Sequence, residues 1–121
     1  MKLLDSNILI YSYLDTHKYL RPLLSEADTF VSEISKLEVL GYHSLTQEEE
    51  EYFMDVFLVV QIVEIDKALI NEAIRLRRTN KLKLGDSIVA ASAMLNGLEI
   101  YTRNVTDFDK IHGLKVVNPV I

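Results

Sequence analysis

Four acids lie far apart in the chain, yet each stands at or soon after the end of a short apolar segment: Asp5, Glu38, Asp86 and Asp107. Each has an ordinary use when taken singly. Asp5 or Ser6 can cap a helix, Glu38 can be a solvated helix charge, Asp86 suits the positive end of a helix dipole, and Asp107 suits a turn. Their joint placement points to chemistry. Two carboxylates about 6 Å apart at an effective dielectric near 20 repel by roughly 3 kcal/mol. Three such pairs approach about 8 kcal/mol, comparable with the ~5–15 kcal/mol stability of a small domain. A cluster of this kind must bind a cation or take up protons. The chain has no cysteine, so the donors are oxygens and the expected ion is hard, Mg²⁺ or Mn²⁺. Such an ion activates water and suits phosphodiester hydrolysis. His17, His43 and His112 show no metal-ligand spacing and are read as ordinary residues.

The elements that must position these acids can be read from periodicity and caps. Lys2 to Asp5 reads as a buried strand, followed by a helix from Ser6 to Leu14 and a second from His17 to Ala27, with Pro22 near its start or in a kink. Thr29 to Val31 is a second strand. Ser32 can cap the helix after it, which carries Ile34, Leu37 and Leu40 as its apolar stripe and stops near Gly41. Thr46 with Glu49 forms a capping box for a helix that buries Tyr52, Phe53, Val56, Phe57 and Val60. Gln61 to Ile65 is a third strand. Asp66 caps a helix with Leu69, Ile70, Ala73 and Ile74 facing the core. Leu84 to Asn96 is a helix rich in small residues, stopped by Gly97. Leu98 to Thr102 is a fourth strand and Lys115 to Val117 a fifth. Strands alternate with helices, so the expected fold is α/β: one domain over residues 1–121, with a mainly parallel sheet of four to five strands and helices on both faces. In such sheets ligands bind beyond the carboxyl ends of the strands, where these acids fall.

Composition narrows the class. The chain has 121 residues, 49% of them hydrophobic, and a formal net charge of −5. That length suits a single core, and that charge disfavours a protein that coats nucleic acid by bulk attraction. One strip opposes the trend: residues 75–83 carry Arg75, Arg77, Arg78, Lys81 and Lys83 without an acid. It can be a solvated helix end, or it can hold a phosphate chain locally. No apolar run reaches the roughly 18 residues of a membrane span. An acid at position 5 interrupts any leader-like stretch. The expectation is a cytoplasmic protein without a membrane partner.

Four blocks in order resemble the PIN-domain family, and within it the VapC-type toxin ribonucleases. They are Leu3-Leu4-Asp5-Ser6-Asn7, Ser32 to Glu38 with its Ser-x-x-Ser-x-x-Glu pattern, Leu84 to Ala91 around Asp86, and Thr102 to Phe108. The resemblance spans nearly the whole chain. It implies a PIN-like fold and a metal-dependent endoribonuclease, the toxin of a type II toxin–antitoxin pair. Asp5 and Asp86 would be the main metal ligands. Glu38 would be a ligand, directly or through water, and would orient the nucleophile. Ser6, Asn7, Thr102 and Asn104 would support the site, with Thr102 touching metal-bound water or substrate phosphate. One Mg²⁺ or Mn²⁺ is expected. A second is in question because Asn104 stands where the family often has its fourth acid; Asp107 is the candidate replacement. Arg75, Arg78, Lys81, Lys83 and Arg103 would guide the RNA backbone. The implied partners are RNA, a cognate antitoxin and a second copy in a homodimer. An apolar groove near Tyr11, Tyr13, Leu14 and the helix at 46–60 would receive the antitoxin.

Two other readings compete. A haloacid-dehalogenase-like or receiver-like phosphotransfer domain also begins with an acid after its first strand. The former would need a second acid where Asn7 stands, and the latter an acidic pair and a late lysine that are not recognisable here. The other is a non-catalytic PIN-like module that binds RNA or protein.

Overall fold

The computed structural model describes all 121 residues. In chain order the elements are β1 (Lys2–Leu4), α1 (Ser6–Tyr13), a 3-10 segment (Asp15–Leu20), α2 (Arg21–Ser25), β2 (Thr29–Ser32), α3 (Glu33–Leu40) and α4 (Gln47–Val59). They continue with β3 (Gln61–Val63), α5 (Lys67–Thr79), α6 (Leu84–Asn96), β4 (Glu99–Tyr101), a 3-10 turn (Val105–Asp107) and β5 (Val116–Val117). The five strands form one sheet in the order β3-β2-β1-β4-β5, and every pairing is parallel. The expected α/β class, parallel sheet and five strands are therefore present.

Side chains alternate across the strands, so neighbouring residues serve opposite faces. Leu3, Phe30, Val63 and Ile100 pack with the cluster built by α5 and α6. Leu4, Val31, Ile62 and Tyr101 pack with the cluster built by α1, α2 and α4. The register agrees with this division: Leu3 pairs with Phe30 on one side and Ile100 on the other, and Val31 pairs with Ile62. The small residues of α6 answer to close packing. Ala90, Ala91, Ser92 and Ala93 are all fully buried, and α6 lies against α5, α3, β2 and β4.

Several local expectations hold. Asp66 caps α5 through Leu69 N at 2.9 Å, Thr46 and Glu49 close a reciprocal capping box, and Gly97 ends α6 at φ 63°. Others need correction. The single helix expected over His17 to Ala27 is instead a 3-10 segment followed by α2, because His17 leaves helical geometry and Pro22 restarts the chain in the first turn of α2. Leu37 is 67% exposed. Helix α3 straddles both cores, with Ile34 toward one cluster, Leu40 toward the other, and Ser35 and Val39 turned inward. In α5 the inward stripe is Leu69, Ala73 and Leu76, leaving Ile70 and Ile74 on the neighbouring, half-open stripe. Strand β3 stops at Val63, short of Ile65.

Candidate active site

Asp5 is the residue immediately after the central strand, and its own backbone N–H donates to Tyr101 O at 2.9 Å, which ties the end of β1 to the end of β4. Its side chain is buried and accepts three hydrogen bonds, leaving a lone pair on Oδ1 unused. Oδ1 accepts Ser6 N–H at 2.8 Å. Oδ2 accepts the Thr102 hydroxyl at 2.9 Å and the Asn7 amide at 3.3 Å. These donors favour the ionised form, but burial outweighs them. Loss of water, with Asp86 and Glu38 as negative neighbours, lifts the Asp5 pKa to about 6.

Asp86, in the first turn of α6, is also raised above the ordinary carboxylate range, chiefly by burial and then by the charges of Asp107 and Glu38; Lys83 and Lys110 act the other way. The acids therefore feel one another although they come from β1, α3, α6 and the turn after β4. Glu38 is exposed and held from both sides. Its Oε1 accepts Ser6 Oγ–H at 2.8 Å, and Ser6 Oγ lies 2.9 Å from the buried Ser35 Oγ. With one proton given to Glu38, Ser6 must accept from Ser35, so the hydroxyls form a relay ending on the carboxylate. On the other side, a Cβ at Gly85 would stand 3.0 Å from Glu38 Oε2. The bare backbone of α6 leaves room for that oxygen.

Asn7 joins the halves of the site. Its Nδ2 reaches both Asp5 Oδ2 and Thr102 Oγ1, and its Oδ1 accepts Arg103 N–H at 3.2 Å. Thr102 Oγ1 donates to Asp5 and accepts from Asn7 at 3.2 Å and from Asn104 N–H at 3.1 Å. Its one proton and two lone pairs are all used, and the residue is fully buried. Thr102 thus orients Asp5, and the contact expected with metal-bound water or phosphate has no free hydroxyl valence to use. The Asn104 side chain is exposed, whereas Asp107 is the acid whose charge Asp86 feels most strongly.

No three carboxylate or histidine side chains close to direct-ligation geometry. The donor set is all-oxygen and negatively charged, with Asp5 and Asp86 recessed and Glu38 at the rim. Such a set fits a hard ion that uses one or two carboxylates and keeps much of its water shell. It does not fit a dehydrated three-carboxylate cage.

The basic residues divide. Arg75 is paired with Glu72 on the same helix, so its charge is locally answered. Arg78 and Lys81 line a shallow surface groove with Ile74, Arg77 and Leu82. Lys83 sits near Asp86. Arg103 lies over the ring of Tyr11, 5.1 Å from its centroid. The groove expected beside Tyr13, Leu14 and the helix at 46–60 exists, but acids dominate it: Asp15, Glu48, Glu51 and Asp55, with Arg21 and Tyr52. A more apolar groove opens next to Glu38, lined by Ile10, Val39, Tyr42, Leu45 and Phe53. Ser35 and Gly85 went unmarked as site residues in the sequence. The Ser-x-x-Ser-x-x-Glu spacing was the available signal for the first; for the second, only the packing of two helices reveals it.

Fold and site together define a small parallel α/β domain with a group of acids at the carboxyl edge of its sheet. The chain belongs to the PIN domain family, whose model matches residues 2–114. Among solved structures it is similar to a toxin–antitoxin complex from Klebsiella pneumoniae, at 30% identity over 98% of each chain and a TM-score of 0.81. It shares its fold with VapBC2 from Rickettsia felis bound to a promoter DNA fragment (21% identity, 97% of each chain, TM-score 0.77). The same holds for FitAcB from Neisseria gonorrhoeae (20%, 98% of each chain, 0.77). A comparison with curated proteins found no match. No helix is long and apolar enough to cross a membrane.

Proposed function

We propose that this chain is a divalent-metal-dependent endoribonuclease acting as the toxin of a toxin–antitoxin pair. The observation that carries the reading is that Asp5, Glu38 and Asp86, from three distant segments, share one end of the sheet, with the negative charge of Glu38 bearing on both aspartates and that of Asp86 on Asp5. The 30% identical relative is described as part of a toxin–antitoxin complex, which supports the biological role. A bound Mg²⁺ or Mn²⁺ would supply an activated water and charge stabilisation at the phosphate.

Asp5 and Asp86 would hold the ion, with Asp107 adding charge on the Asp86 side. Glu38 would take the proton of the attacking water at Oε2, since Oε1 is occupied by Ser6. Thr102 and Asn7 fix the Asp5 carboxylate. Lys83 and Lys110 temper the negative field, and Arg78, Lys81 and Arg103 attract the RNA chain. The antitoxin docks an apolar segment in the groove beside Glu38, from which it can block the pocket. The exposed stripe of Ile70 and Ile74 suits burial in a homodimer. The protein acts in the cytoplasm, where RNA is its substrate.

Incubation of the purified chain with single-stranded RNA and Mn²⁺, against EDTA and against Asp5→Asn, tests the reading. Cleavage that needs both the metal and Asp5 is expected; cleavage that survives excess EDTA refutes it. The absence of a closed three-carboxylate cluster is what favours the second reading, a non-catalytic RNA- or protein-binding module. That reading predicts RNA or protein binding with no cleavage at any metal concentration.

A further inference from the structure

Beside the carboxylates, four side chains form a column that the catalytic reading does not use. The Arg103 guanidinium rests over Tyr11 at 5.1 Å. Tyr11 lies 4.8 Å from His17, ring centre to ring centre, and His17 lies 5.8 Å from Tyr19, the rings tilted by 43° and 38° in a fan rather than a parallel stack. The column is tied directly to the site. Arg103 N–H donates to Asn7 Oδ1, and Asn7 donates in turn to Asp5. Tyr11 is one helical turn beyond Asn7, on the same face of α1.

The Arg103 guanidinium, like that of Arg78, has no acid or carbonyl partner, but unlike Arg78 it has a ring behind it. Arg21 is spent on the carbonyls of Ser12 and Tyr13, Arg75 on Glu72, and Arg77 on the carbonyl of Leu82. The Arg103 guanidinium is exposed and is held by a ring face instead of by an acid. A guanidinium supported in this way keeps its outer face free. A flat cation backed by an aromatic ring is a stacking surface for an unpaired base, and stacking of this kind is how proteins commonly hold single-stranded nucleic acid. A lysine could provide the charge but not the plane.

We propose that Arg103 and Tyr11, continued by His17 and Tyr19, form a stacking platform for an unpaired RNA base next to the phosphate in the carboxylate pocket. This rests on the nuclease reading and adds to it a base subsite, so Arg103 acts as a plane as well as a charge. The platform favours single-stranded or loop RNA, because a paired base has no free face to offer it.

The test measures binding of a fluorescein-labelled single-stranded RNA to the Asp86→Asn protein, so that the RNA stays intact. The same oligonucleotide with abasic positions serves as its partner. Stacking by one base corresponds to roughly a 5- to 150-fold change in affinity; about tenfold weaker binding of the abasic RNA is expected. Adding Arg103→Lys, which keeps the charge on an exposed site, should weaken the normal RNA about tenfold and leave the abasic RNA unchanged. Tyr11→Leu should act in the same way, with its thermal midpoint recorded to confirm folding. Equal losses for both RNAs, or no loss with Arg103→Lys, overturn the platform. If the unmodified chain cleaves RNA while Arg103→Lys still discriminates normal from abasic RNA as the parent does, only the platform falls. If no RNA is bound or cut under any condition, the nuclease reading falls with it.

Discussion

Replacing Asp5 by Asn should make the metal-free protein more stable while destroying its proposed activity. Burial holds the Asp5 pKa at about 6 against an ordinary value of 3.8, so between these values the native state holds more protons than the unfolded chain. Stability present below 3.8 is therefore lost as pH rises through about 6. The shift of about 2 units at 1.36 kcal/mol each amounts to about 3 kcal/mol at pH 7.5. Asparagine removes that penalty but cannot accept from Ser6 on one side and from Thr102 and Asn7 on the other. The mismatch costs about 1 kcal/mol, leaving a net gain of about 2 kcal/mol. Urea denaturation in EDTA should show a midpoint higher by roughly 1 M at pH 7.5, with most of the gain gone by pH 4.5. Saturating Mn²⁺, at about 100 times its Kd, returns roughly 2.7 kcal/mol to the unmodified protein and much less to the variant, so the order of stability reverses. A variant less stable than the parent by the same margin at both pH values, in EDTA, would refute the reasoning, because Asp5 would then be a mere helix cap.

Three further outcomes follow from the geometry. Gly85→Ala should leave the thermal midpoint unchanged or slightly raised, since alanine is the better helix former, yet weaken Mn²⁺ binding several-fold by displacing Glu38 Oε2; isothermal titration with parallel melting checks both halves. Thr102→Val leaves Asn104 N–H without its acceptor, takes one of two acceptors from the Asn7 amide and removes a donor from Asp5, costing about 2–3 kcal/mol in chemical denaturation, whereas Thr102→Ser should cost under about 1 kcal/mol. Asn104→Asp should strengthen Mn²⁺ binding and Asp107→Asn weaken it; equal affinities for both variants and the parent would exclude that turn from the ion's field.

What could be read from the sequence was whatever short-range chemistry dictates. Asp66, Thr46 with Glu49, and Gly97 cap their helices through bonds a few residues long, and the alternation of apolar runs with helical stripes led to the parallel sheet. The four acids were visible because each follows a recognisable element. Less visible was everything that depends on which way an element is rolled. Leu37 and Ile74 fit an apolar stripe as well as Val39 and Leu76 do; only the packing partners of α3 and α5 decide between them. Thr102 was visible as a site residue, but its hydroxyl is saturated by Asp5, Asn7 and Asn104, and no spacing rule foretells that. The role of Gly85 exists only because α3 brings a carboxylate to within contact of α6.

The place of β1 in the sheet bears on how the protein is made. It precedes the other strands in the chain, but it is flanked by β2 on one side and β4, at Glu99–Tyr101, on the other. A nascent chain can dock β1 on β2 early, yet one edge of the central strand stays open until β4 has emerged. Thr102 and Asn104 arrive with that late segment, so Asp5 is unoriented until then. A ribosome-bound fragment ending before β4 would carry an unpaired edge, prone to sticking to its like, and only part of the acid site: whatever that site does is withheld until β4 is in place.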